Sequence, residues 1–102
     1  MLNKVMFVGK LFDNINTLKR LENGIKYKEV YIGIPKDVNK KVTEYNSYLI
    51  PCLIFEDTIN SIKTSKIQFK KGNILGVYGK LAITSDKKMI VVVDKIEILS
   101  EQ

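Results

Sequence analysis

Residues Tyr27 to Ile34, YKEVYIGI, alternate between two sets of side chains. Val30, Ile32 and Ile34 fall on one side, and Tyr27, Glu29, Tyr31 and Gly33 on the other. A period of two is the signature of a strand with one buried face, and it frames the rest of the chain. Leu2 to Phe12 is another β-compatible run, rich in Val, Met, Phe and Leu, in which Gly9 is expected to mark a bulge or sharp bend. Asn23-Gly24 is a two-residue turn signal between runs able to pair. Pro35 breaks the alternation, and a polar loop follows that carries Lys36, Lys40 and Lys41. Tyr45 to Phe55 resumes as strand. Tyr48, Ile50, Cys52 and Ile54 form its core-facing set, so Tyr48 is read as structural; Tyr45, Ser47, Leu49, Leu53 and Phe55 form the other. Both sets are largely apolar, so the second face meets another subunit, a ligand or more of the fold.

Glu56 to Phe69 is the one plausible helix. Asp57 or Thr58 can cap it, and Ile59, Ile62 and Phe69 share a face. Thr64, Ser65 and β-branched residues weaken it, so a short helix with an irregular end is expected before Lys70-Lys71-Gly72. Asn73 to Ala82 reads as a strand with two glycines, and Ser85 to Lys88 as a polar turn. Met89 to Leu99 is the final strand, and its alternation slips near Asp94, the mark of a bulge. Three strands, a helix and two strands fit one domain spanning residues 1–102. The expected fold is mainly β: a five-stranded Greek-key barrel of the OB type, with one short helix between strands 3 and 4. Such barrels bind ligands on the face of strands two and three and in the loops beside it.

Composition narrows the function. The longest notable apolar run, LIPCLIF from Leu49 to Phe55, is far short of the roughly 20 residues of a membrane helix. No signal-peptide pattern opens the chain, so a cytoplasmic location and no membrane partner are expected. Cys52 is the lone cysteine, which leaves no intrachain disulfide and no thiolate metal site; it reads as a small buried hydrophobe. There is no histidine, and no Walker-type loop, nucleophile elbow or paired-carboxylate motif. The chain is therefore not expected to be an enzyme or to need a cofactor or metal. Seventeen basic against eleven acidic residues give a formal charge of +6, which points to a polyanionic partner. An A/T-rich genome accounts for lysine over arginine, but less well for the excess over acidic residues.

Three blocks carry a family resemblance. MLNKVMFVGKL resembles the opening strand of the bacterial single-stranded-DNA-binding proteins, which usually ends Gly-Arg-Leu and here ends Gly9-Lys10-Leu11. LIPCLIF is similar to their third strand, often Trp-Ile-Pro-Cys followed by aliphatics and Phe. KKGNILGVYGKL, Lys70 to Leu81, looks like their fourth. The blocks keep the family's order and cover nearly the whole chain. The departures are equally plain. Such proteins stack bases on tryptophan, and this chain has none; the usual third-strand tryptophan falls on Leu49. The family's acidic tail has no counterpart before Gln102. The resemblance is thus to a short, divergent member or a primosome-type relative.

The resemblance implies single-stranded DNA binding, without marked sequence preference, in replication, recombination or repair. That chemistry needs aromatic faces for bases and a basic groove for phosphates. Phe55 is the first aromatic candidate, Tyr31 and Tyr45 are possible replacements for the missing tryptophans, and Tyr27 is the weaker fourth. Lys10, Lys28, Lys36, Lys40, Lys41 and Lys80 are the phosphate candidates; Lys10 and Lys80 follow glycines where the family has arginine. Each of these side chains would serve equally as packing or as solvated surface charge. The alternatives are an OB module for protein–protein contact, with weak or no nucleic-acid binding, or a binder of single-stranded RNA. The surplus apolar faces and the family both imply a homodimer or homotetramer.

Overall fold

A computed structural model describes residues 2–37, 39, 43, 45–63 and 69–100. The elements in chain order are β1 (Val5–Leu11), β2 (Lys19–Arg20), β3 (Lys26–Pro35), β4 (Ser47–Phe55), α1 (Glu56–Lys63), β5 (Ile74–Ile83) and β6 (Met89–Ser100). The five long strands are those expected. β2 is an unexpected two-residue partner of β3, pairing Lys19 with Tyr27 and Arg20 with Lys26.

The sheet runs β1-β5-β6-β4-β3, and a β1–β3 pairing closes it into a barrel. Closure rests on Lys10 opposite Gly33 and Leu11 opposite Ile32. Gly9 sits beside this seam. A Cβ there would lie 2.7 Å from Ile32 Cγ2 and 2.8 Å from the Gly33 carbonyl oxygen, so only glycine lets the strands approach. Gly9 is not a bulge, because its pairing with Leu75 continues the β1–β5 register unbroken. The bulge predicted near Asp94 is present: Tyr78 faces Lys95 and Gly79 faces Val93, so Asp94 is left over.

Inside the barrel, Leu11, Val30, Ile32, Cys52, Ile54, Leu75, Val77, Val91, Val93 and Ile96 are buried. Each large aliphatic contributes about 1.5–3 kcal/mol by leaving water. Helix α1 packs against β6, β4 and β3, and its Ile59 and Ile62 enter the same core, with Phe69 half-buried against it. The helix starts at Glu56, directly after β4, with Glu56 and Asp57 in its first turn. Asp57 and Thr58 are therefore not caps. Two acidic residues beside the helix's N-terminal N–H groups complement its dipole instead.

The turn at Asn23-Gly24 is longer than expected. The Leu21 N–H donates to the Ile25 carbonyl and the Gly24 N–H to the Leu21 carbonyl, which encloses three residues rather than two. Gly24 takes the left-handed position, at φ 87°, as a type I turn with a following bulge requires. The β5–β6 hairpin closes with the same pattern of bonds between Thr84, Lys87 and Lys88, and there Lys87 holds the left-handed position.

Tyr48 is not core. It is 60% exposed because β3 and β4 run on past the barrel at that end, where the strand's inward side no longer faces a core. Ser47, placed on the outward set by alternation, is buried.

Candidate nucleic-acid interface

Residues directly opposite in a sheet share a face, so the register fixes what lies together on the outer surface of β3, β4 and β6. The first row runs Lys19, Tyr27, Phe55. The second runs Glu29, Leu53, Val92, Lys80, and the third Tyr31, Pro51, with Ile90 beyond it. The fourth is Lys10, Gly33, Leu49. The result is a half-exposed apolar floor of Pro51, Leu53, Ile90 and Val92, with aromatic side chains along one side and lysines at its margins.

Four of the ten sequence-predicted residues thus come together directly: Tyr27 and Phe55 as cross-strand partners, Tyr31 two rows away, and Lys80 at the end of the row between. Phe55 and Lys80 also line one groove of about 690 Å³, together with Lys26, Val92 and Asp94. Lys10 joins the surface through the β1–β3 seam. Lys28 has inward parity opposite Ile54, but stands near the end of β3, where it is half-buried and lines a smaller cavity beside Tyr31.

Lys36 and Tyr45 belong to the β3–β4 hairpin beyond the barrel. Tyr45 is 94% exposed. The Lys36 ammonium sits 5.2 Å from the centre of the Tyr48 ring, a cation–π contact, so these two side chains form a separate exposed pair. Lys40 and Lys41 lie outside the described residues.

Two site residues were missed in the sequence. Phe12 packs its ring over Gly33, where a Cβ would collide with it, and Lys10 Nζ lies 5.8 Å from that ring. Lys19 stands beside Tyr27. Lys19 reaches Tyr27 only because the hairpin encloses three residues, since a two-residue turn would set it opposite Lys28; no local signal marks Phe12. Two hydrogen bonds hold this surface in register: Asp13 Oδ2 accepts the Tyr31 N–H at 2.5 Å, and the Phe12 N–H donates to the Tyr31 carbonyl at 3.2 Å. The backbone beneath the Tyr31 ring is therefore tied to β1 and the segment after it.

No metal-binding cluster of His, Cys, Asp or Glu occurs among the described residues, and no helix among them is long and apolar enough to cross a membrane. Burial pushes the Cys52 thiol up to about 12.

A closed barrel of five long strands with a helix against one end, carrying aromatics and lysines on its β3–β4 outer face, is an OB barrel. No family model matches the chain, and no curated protein sequence does. Its fold is nevertheless shared with solved structures. The dimeric N-terminal domain of PriB from Thermoanaerobacter tencongensis superposes with a TM-score of 0.73 at 18% identity, over 97% of this chain and 98% of that one. The mitochondrial single-stranded DNA binding protein Rim1 of S. cerevisiae gives 0.73 at 17% identity, over 97% of each. PriB from Ralstonia solanacearum gives 0.71 at 14% identity, over 98% of this chain and all of that one.

Proposed function

We propose that this chain binds single-stranded DNA on the outer face of β3 and β4, as a divergent relative of the single-stranded-DNA-binding proteins. The observation that carries the reading is the register itself. It sets Tyr27 and Phe55 opposite one another and Tyr31 two rows away, on an apolar floor whose margins hold Lys10, Lys19 and Lys80. Tyr31 is exposed and Tyr27 and Phe55 are half-buried, and accessible aromatic faces with cations at their edge are what an unpaired strand needs. Each stacked base is worth about 1–3 kcal/mol, and any base offers a π-face. Lysines displace condensed counterions and make binding salt-dependent. Duplex DNA, with its bases stacked away, gains only the electrostatic part.

The names of the similar structures agree with this reading, since Rim1 is a single-stranded DNA binding protein. Self-association fits a different surface. Met6, Val8 and Leu99 are exposed apolar residues on the outer side of β1, β5 and β6, and β1 between Val5 and Val8 is paired on its β5 side alone among the described residues. A homo-oligomer joined there leaves the β3–β4 face free.

A second reading, a module for protein contact, draws on an apolar groove of about 380 Å³ lined by Phe7, Ile34, Ile50, Leu81 and Met89. Fluorescence anisotropy of a labelled dT oligonucleotide across a salt series, with duplex as control, separates the two. Binding to the single strand that weakens steeply with salt supports the first. No binding at low salt overturns it and leaves the second.

A further inference from the structure

The outer face carries a carboxylate among its aromatic residues that phosphate binding does not explain. Glu29 is exposed at the centre of the aromatic side, two residues from Tyr27 and two from Tyr31 on the same face of β3. At about 3.4 Å per residue its Cα lies roughly 7 Å from each, within reach of the edge of a base stacked on either ring. It forms no ion pair and no side-chain hydrogen bond among the described residues, whereas the neighbouring Asp13 carboxylate is occupied by the Tyr31 N–H. Glu29 also lines a cavity of about 230 Å³ with Asp13, Lys19, Lys28, Tyr31 and Pro51. That cavity brings together an aromatic face, two cations and an unengaged carboxylate.

A carboxylate only accepts hydrogen bonds. Beside a DNA strand it repels phosphate, so any contact it makes with the strand is with the bases. Single-stranded bases splayed onto aromatic rings expose their Watson–Crick edges. Guanine presents two parallel donors there, N1–H and N2–H, which match the two oxygens of a carboxylate as a bidentate, charge-assisted pair. Thymine offers a single N3–H flanked by two carbonyl oxygens that face the carboxylate unfavourably. Resting on the DNA-binding reading above, we propose that Glu29 is a specificity-determining residue that favours guanine over thymine at the base stacked beside Tyr31. The bias is superposed on otherwise sequence-tolerant binding.

The test compares four ligands of equal length by anisotropy at fixed salt: a dT oligonucleotide, the same with isolated guanines replacing thymines, the same with inosine at those positions, and a duplex. Inosine keeps the purine ring and N1–H but lacks the N2 amino group. The wild-type chain is expected to bind the guanine strand about three- to tenfold more tightly than dT, a modest gain for an exposed charge-assisted pair, with inosine close to dT. Glu29→Gln is expected to tighten binding to dT and to bring the guanine and dT affinities within about twofold, since a neutral amide cannot offer two acceptors. Equal affinity for guanine and inosine strands, or a guanine preference that survives Glu29→Gln, assigns the effect to purine stacking and overturns the proposal while leaving DNA binding intact. Failure of every single strand to bind overturns the DNA-binding reading itself.

Discussion

Truncating Tyr31 removes an exposed ring while leaving the backbone hydrogen bonds of its strand in place. The side chain is 52% exposed, so Tyr31→Ala forfeits only part of a buried aromatic contribution, about 1 kcal/mol. The contacts that hold the strand are made by the backbone, through the N–H to Asp13 and the carbonyl to Phe12, and survive truncation. For a domain of this size the loss corresponds to a fall in Tm of about 4–8 °C. Losing one stacked base costs about 1–3 kcal/mol, which is about 5- to 150-fold in Kd. Tyr31→Phe keeps the π-face and is expected to bind within about twofold of the parent. No phosphate contact is lost in either variant, so the slope of log K against log salt stays as it was. Anisotropy titrations at three salt concentrations, with thermal unfolding of each variant, give every quantity needed. A folded Tyr31→Ala chain that binds as tightly as the parent refutes the stacking role. So does a Tyr31→Phe chain that fails alongside it, because that would make the hydroxyl, not the ring, the binding element.

Other changes probe other parts of the account. Lys80→Ala, at the far margin of the same face, is expected to lower the salt slope by about 0.7, the value for one phosphate contact on a single strand, with Tm unchanged; an unaltered slope removes Lys80 from the site. Gly9→Ala forces a methyl group against the Gly33 carbonyl at the seam and is expected to destabilise by more than about 2 kcal/mol, read as a lower denaturant midpoint. A midpoint like the parent's would mean that the β1–β3 closure is looser than described. The Cys52 thiol, raised from an ordinary value of 9.0 to about 12 by burial, stays protonated in the folded chain while the unfolded chain ionises. Stability is therefore full below pH 9 and declines as pH rises from 9 towards 12. Equilibrium unfolding of the parent and Cys52→Ala measures this: the parent's alkaline decline should exceed the variant's, and equal declines would contradict it.

Alternation made much of this fold legible. Val30 and Ile32 face inward and Tyr31 outward as YKEVYIGI requires, and the slip near Asp94 is a bulge that offsets the β5–β6 register. Alternation tells which side a residue takes but not how far the enclosed core extends, and Tyr48 fell on the inward set of a stretch that has left the barrel. Gly9 forms no bulge; the demand for a missing side chain comes from Ile32 and Gly33, far away in sequence. The aromatic site was partly visible, since Tyr27, Tyr31 and Phe55 are outward in their own strands. Their assembly into rows depends on the β3–β4 register, and Phe12 joins them only because Gly33 leaves room for its ring. Glu29 lies in the alternating run, but its place between Tyr27 and Tyr31 acquires meaning only with the cavity beside it.

On the proposed reading, the DNA strand lies across the outer face of β3 and β4. Amide chemical-shift mapping of the isotopically labelled chain, titrated with a short dT oligonucleotide, tests it most directly. The largest perturbations are expected at Tyr27, Glu29, Tyr31, Leu53 and Phe55, with Lys19 and Lys80 at the margin, and little change at Met6, Val8 and Tyr78 on the outer side of β1 and β5. Perturbations concentrated on β1 and β5 around those last three residues, or none anywhere at saturating oligonucleotide, would contradict it.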